Sequence, residues 1–144
     1  MPNATATETS TLVNPGTELA HATAESAPLV PGRRDFLKYR DLGVTKASGG
    51  RMRAQITVAT GAMRPTGWHY HVCESQLVYV LKGWVDLAFE DGRTLRVKAG
   101  ESLYIPGGLK HNEIGMSEDF EILEVSVPAE MGTKACDPPA DMKG

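Results

Sequence analysis

The sequence predicts an all-β sandwich or barrel, and three observations carry that reading. Segments of five to eight residues alternate apolar and polar side chains, the period of a half-buried strand rather than of a helix. Turn signals built on Gly, Pro and Asp-Gly recur every eight to twelve residues. No stretch holds a convincing helical period. At 144 residues with 41% hydrophobic content, the chain suffices for one domain with one core.

Residues 1–32 open the chain with Thr, Ala, Glu and Pro, no aromatic residue and no sustained period. Such a segment offers too little apolar area to offset its ordering entropy, so a flexible N-terminal arm is expected. Leu12-Val13 and Leu29-Val30 are where it would dock, and His21 is expected to stand apart from any metal. Residues 33–130 are expected to form the barrel. Within them Arg33–Val44 holds Phe36, Leu37 and Tyr39 and should start an outer strand that ends at Asp41–Gly43. Thr45–Gly50 reads as a turn-rich link. Arg51–Thr60 alternates: Met52, Ala54, Ile56 and Val58 share a face expected to be apolar core. Arg53, Gln55 and Thr57 share the other, which fits either the barrel interior or solvent.

Gly61–Gly67 is a loop with Pro65, leading to the strand at His69–His71, whose flanking Trp68 and Tyr70 should point away from the histidines. Leu77–Leu81 (LVYVL) is apolar on both faces and reads as a central strand buried on both sides. Trp84–Glu90 alternates, Asp91-Gly92 is a hairpin turn, and Arg93–Val97 returns. Glu101–Ile105, Lys110–Ile114 and Phe120–Val127 are the remaining strands, separated by Pro106–Gly108 and Gly115–Asp119. That makes eight to ten strands. Residues 131–144 are expected to be a tail.

The chemistry lies in two stretches. Thr66–Gly83 places His69 and His71 one residue apart. On a strand, residues i and i+2 face the same side, so both imidazoles can aim at one ion. Gln76 and Gly83 follow, with four residues between His71 and Gln76 and six between Gln76 and Gly83. The second stretch carries Gly100, Pro106, Gly108 and His111, and 16 residues separate Gly83 from Gly100.

These two spaced motifs, in this order, resemble those of the cupin superfamily over about residues 51–127, with motifs at 67–83 and 100–115. Two positions depart from the usual pattern: Gln76 stands where most members carry Glu, and Gly115 falls where an Asn is usual. The resemblance implies a double-stranded β-helix of the jelly-roll type. It implies one divalent transition metal per chain (Fe, Mn, Ni, Co, Cu or Zn) on His69, His71, Gln76 and His111. Glu74 is the alternative carboxylate donor. With Gln76 in place of Glu, a divalent ion keeps its full charge, acts as a stronger Lewis acid and favours anionic ligands. Glu113 shares strand parity with His111 and is the candidate general acid or base. Tyr104 either lines the pocket or packs.

The functions implied by analogy are a metal-dependent dioxygenase, isomerase, decarboxylase or lyase acting on a small anionic or enolisable molecule. A non-catalytic metal or ligand sensor and a metal-free sugar-epimerase-like barrel are the alternatives. A homodimer is the family expectation. A net charge of −3 and scattered basic residues argue against a nucleic-acid partner. No apolar run reaches the roughly 20 residues of a membrane span, a secretory leader is not expected and no CxxC pair occurs, so a cytoplasmic protein with free Cys73 and Cys136 is expected.

Overall fold

A computed structural model describes residues 11–140. Eleven strands and one short helix occur among them. The strands are β1 (Val30–Pro31), β2 (Leu37–Asp41), β3 (Arg53–Ala59), β4 (His69–Val72), β5 (Ser75–Lys82) and β6 (Trp84–Phe89). They continue as β7 (Thr94–Lys98), β8 (Ser102–Pro106), β9 (His111–Met116), β10 (Glu121–Val127) and β11 (Gly132–Ala135). They form two antiparallel sheets, ordered β1-β2-β3-β10-β5-β8 and β11-β4-β9-β6-β7. This is the all-β jelly-roll barrel predicted.

Turn chemistry fixes the strand ends. Gly92 holds φ 92° in the hairpin between β6 and β7, where its N–H bonds back to Phe89 O at 3.0 Å. Gly83, at φ 72°, lets β5 turn into β6; a Cβ there would overlap Ser117 Oγ. The core is one cluster between the sheets, built on Val78, Val80, Val85, Leu87, Phe89, Ile105, Phe120 and Ile122.

Four expectations need correction. The link at 45–50 contains a helical turn, α1 (Val44–Ala47), entered through Gly43 in the left-handed region. On β3 the polar face is the inner one: Gln55 and Thr57 are buried, whereas Ile56 and Val58 are half-exposed. On β5 only Gln76, Val78 and Val80 turn inward; Leu77, Tyr79 and Leu81 are each about 40% exposed, so this strand is not covered on both sides. The segment after Pro128 contains β11, a strand with no apolar alternation, paired to β4 with Thr133 opposite His71.

The segment preceding the barrel is placed by backbone bonds. Val30 pairs with Tyr39, Glu18 N–H bonds to Ala47 O, and Arg40 donates to Ala24 O and to Ala27 O. The arm at 1–32 was expected to dock at Leu12-Val13 and Leu29-Val30; Val30 pairs with Tyr39 through the backbone in β1, with its side chain about half-exposed. Residues 1–10 of that arm and 141–144 of the tail lie outside the described residues. Among the described residues, no helix is long and apolar enough to cross a membrane.

Candidate metal centre

Alternation along β4 turns His69 and His71 to the same side, where both are buried, while Tyr70 and Val72 point the other way. The pairing of β4 with β9 sets His69 directly opposite His111. A nitrogen from each of the three rings lies within 4.8 Å of the others, a group able to hold a metal ion. The ring centroids are 4.5 to 5.2 Å apart.

Each ring is oriented through its Nδ1. His69 Nδ1 is 2.7 Å from Gly67 O, His111 Nδ1 is 2.9 Å from Leu109 O, and His71 Nδ1 is 2.9 Å from Thr133 Oγ1. A carbonyl only accepts, so in His69 and His111 the proton sits on Nδ1 and Nε2 keeps its lone pair. Such an acceptor behind each ring is what a metal-binding histidine needs. His69 and His71 are also held neutral. Burial pushes the pKa of His71 down to about 3, aided by His111, His69, Arg33 and Arg53. Burial also lowers the His69 pKa, against the pull of the Glu113 carboxylate.

His71, Gln76, His111 and Glu113 line a cavity of about 90 Å³ between the sheets, and Glu124, Arg33 and Arg34 complete its charged wall. Among the buried atoms with no hydrogen-bond partner are His69 Nε2, Gln76 Oε1, Glu113 Oε2 and Arg34 Nε. Glu113 Oε2 stands 3.6 Å from both His69 Nε2 and His111 Nε2. An imidazole lone pair, an amide oxygen and a carboxylate oxygen are all electron-pair donors, so the residues present fit a divalent cation. Glu74 is exposed and absent from the cavity wall, whereas Gln76 is buried and lines it. Tyr104 is also outside it: Leu103 and Ile105 line the cavity, while Tyr104 is 56% exposed and pairs its hydroxyl with Ser75 Oγ. Cys73 is half-buried, burial raises its thiol pKa, and it is not one of the clustered donors.

Two groups escaped the sequence reading. Thr133 sits on a strand without an apolar signature. Glu124, on β10, receives hydrogen bonds from Thr57 Oγ1, from Gln55 Nε2 at 3.2 Å and from Gln76 Nε2 at 3.4 Å. The inward polar face of β3 was one of two placements its pattern allowed, and that face was the available signal for this network.

Two facing antiparallel sheets with three convergent imidazoles between them define a jelly-roll barrel with an internal metal-type centre. The Cupin domain family matches residues 54–126, and the chain belongs to that family. The fold is similar to that of the polyketide cyclase RemF from Streptomyces resistomycificus, at 23% identity over 86% of this chain and 89% of that one, with a TM-score of 0.69. It is similar to salicylate 1,2-dioxygenase from Pseudoaminobacter salicylatoxidans, at 15% identity over 73% of this chain and 30% of that one, TM-score 0.58. A variant of Bacillus subtilis oxalate decarboxylase matches at 18% identity over 78% of this chain and 30% of that one, TM-score 0.59. Comparison with curated proteins finds no match.

Proposed function

We propose that this cupin is a metal-dependent enzyme that moves protons on a small, anionic, enolisable carbonyl compound, of the isomerase, lyase or cyclase type. The observation that carries this is the carboxylate oxygen of Glu113, buried without a hydrogen-bond partner 3.6 Å from the Nε2 atoms of His69 and His111. His69, His71 and His111 through Nε2, and Gln76 through Oε1, would hold the ion. When bound, a divalent ion acts as a Lewis acid that polarises a carbonyl group.

Glu113 then supplies the base. Its Oε2 takes a proton from the carbon beside the carbonyl; the C–H electron pair moves into the new carbon–carbon double bond and the carbonyl pair onto oxygen. Where the new double bond is conjugated with another, returning the proton to the far carbon isomerises the substrate; attack of the same carbon on a second carbonyl sends that carbonyl's electron pair onto its oxygen, which takes the proton back from Glu113, and so cyclises it. Arg33 and Arg34 favour an anion. On the cavity wall their charges balance those of Glu113 and Glu124, so a divalent ion leaves the cavity positive. Val85, Leu87, Phe120 and Ile122 make much of the remaining lining apolar, which helps exclude water from the reacting carbon. Of the three structures named above, the polyketide cyclase aligns over most of both chains.

The test begins with elemental analysis of protein purified without a metal-affinity tag. Near-stoichiometric metal, lost in a His69→Ala, His111→Ala variant, is expected. Proton exchange of small β-keto acids in D2O, followed by NMR, should then require the metal and fall by about a hundredfold or more in Glu113→Gln. Absence of metal after reconstitution with each divalent ion would sink the proposal, as would exchange that ignores Glu113.

A further inference from the structure

Gln76 is an amide, and an amide has two faces: one end accepts, the other donates. Only the accepting end is of use to a cation, so something has to decide which end faces the imidazoles. We infer that Glu124 makes that decision, as a positioning residue that fixes the Gln76 side chain with Oε1 toward the metal centre and strengthens it as a ligand.

The strand registers bring the two together. In the larger sheet, β10 lies between β3 and β5, with Glu124 opposite Gln55 on one side and Val78 on the other. Gln76 is opposite Ser126, so Gln76 and Glu124 are diagonal neighbours on the inward face. Gln76 is 3% exposed, and its Nε2 lies 3.4 Å from Glu124 Oε1. An ionised carboxylate can only accept. The amide end next to Glu124 must therefore be the NH2 group. The flipped amide would set two oxygen lone pairs against each other in a buried site.

Glu124 is itself held. Its other oxygen, Oε2, accepts from Thr57 Oγ1 and from Gln55 Nε2, and Arg53 in turn donates to Gln55 Oε1 at 3.3 Å. Those donors occupy Oε2 and leave Oε1 for Gln76. At the far end of the chain of bonds, Gln76 Oε1 is buried with no protein partner. The hydroxyl of Ser126, opposite Gln76 in the ladder, is unpartnered too, so it does not satisfy that oxygen. Donation from the NH2 group to an anion shifts electron density toward the amide oxygen, as a carboxylate behind a ligating histidine does for the ring nitrogen. The negative charge that a ligating Glu would bring is thus supplied from one side chain further out.

This inference rests on the metal reading above, and the two fail differently. Zinc affinity by chelator competition is measured for the unaltered protein, for Glu124→Gln, and for the exchanged pair Gln76→Glu, Glu124→Gln. Apo-protein denaturation midpoints serve as the folding control. Glu124→Gln keeps the shape but can face Gln76 with either end, so a loss of zinc affinity of about 10- to 100-fold is expected. In the exchanged pair, the amide moved to position 124 donates to one oxygen of the carboxylate moved to position 76. The second carboxylate oxygen stays free for the ion, so affinity should return to the unaltered value or above. A merely structural role for Glu124 would lower the apo-protein denaturation midpoint of Glu124→Gln along with its zinc affinity. A loss below threefold in Glu124→Gln, or an exchanged pair no better than the single variant, overturns the inference. If the exchanged pair does not fold, the unaltered protein decides: its Gln76 side-chain NH2 protons should stay protected from exchange with zinc bound, and rapid exchange overturns the positioning role. A protein that binds zinc nowhere removes the metal centre and this role with it; zinc binding that ignores Glu124 removes the role alone.

Discussion

Acidifying the metal-free protein should destabilise it, and His71 should supply a measurable share of the loss. In the unfolded chain this imidazole takes up a proton near pH 6.5. In the folded barrel, burial and the neighbouring rings and arginines hold it neutral down to about pH 3. Between those values the unfolded chain binds the extra proton, so stability falls with pH across that window and is fully present above pH 6.5. At pH 5 the gap is about 1.5 pH units, or about 2 kcal/mol from this one side chain. Solvent screening reduces this little, since His71 is only 8% exposed. For a domain of this size the loss corresponds to about 6 °C in Tm. The assay is thermal unfolding by circular dichroism in a chelating buffer from pH 7.5 to 4.5, on the unaltered protein and on His71→Gln. The variant should start less stable but lose about 2 kcal/mol less between pH 7.5 and pH 5. Carboxylates titrate in both proteins and cancel. Parallel profiles, or a barrel that gains stability on acidification, would refute the claim that burial holds His71 neutral.

Thr133→Val keeps the strand and its shape but removes the oxygen behind His71 Nδ1, and should weaken zinc binding about tenfold with little change in Tm; unchanged affinity would show that the hydroxyl does not orient the ring. Gly107→Ala would drive a Cβ into Cys73 O, so a destabilisation of about 1–3 kcal/mol is expected in urea unfolding. A homodimer through the outer face of the larger sheet is expected, because Leu77, Tyr79 and Leu81 lie exposed there on one strand. Tyr79→Glu with Leu81→Glu should then turn a dimer into a monomer by light scattering, and an unaltered protein that is already monomeric refutes the pairing.

The strands and turns were legible because period-two alternation and left-handed glycines act locally, within a few residues of where they are read. The histidine pair was legible for the same reason: His69 and His71 need only a strand between them to share a face. Which face is inside was less legible. A barrel that lines its interior with a site buries polar side chains such as Thr57 and Gln55, and leaves Leu77 and Tyr79 toward solvent. Alternation then gives the period but inverts the side. Glu124 and Thr133 were beyond reach for a further reason. Each meets its partner through strand pairing across 48 and 62 residues respectively, and neither spacing has a local rule behind it. Strand β11 holds by backbone bonds at a sheet edge, so its sequence, GTKA, carries no apolar trace of it.

The place of β11 bears on the order in which the protein is made. His69, His71, Gln76 and His111 all precede Thr133 along the chain, and synthesis proceeds from the N-terminus at about 5–20 residues per second. A growing chain therefore has every metal-donor candidate before it has the hydroxyl that holds the His71 ring. Until the last strand has left the ribosome and joined β4, that imidazole has nothing behind it. The His71 ring is thus set in place only once β11 has joined β4, after all four donor candidates have been made.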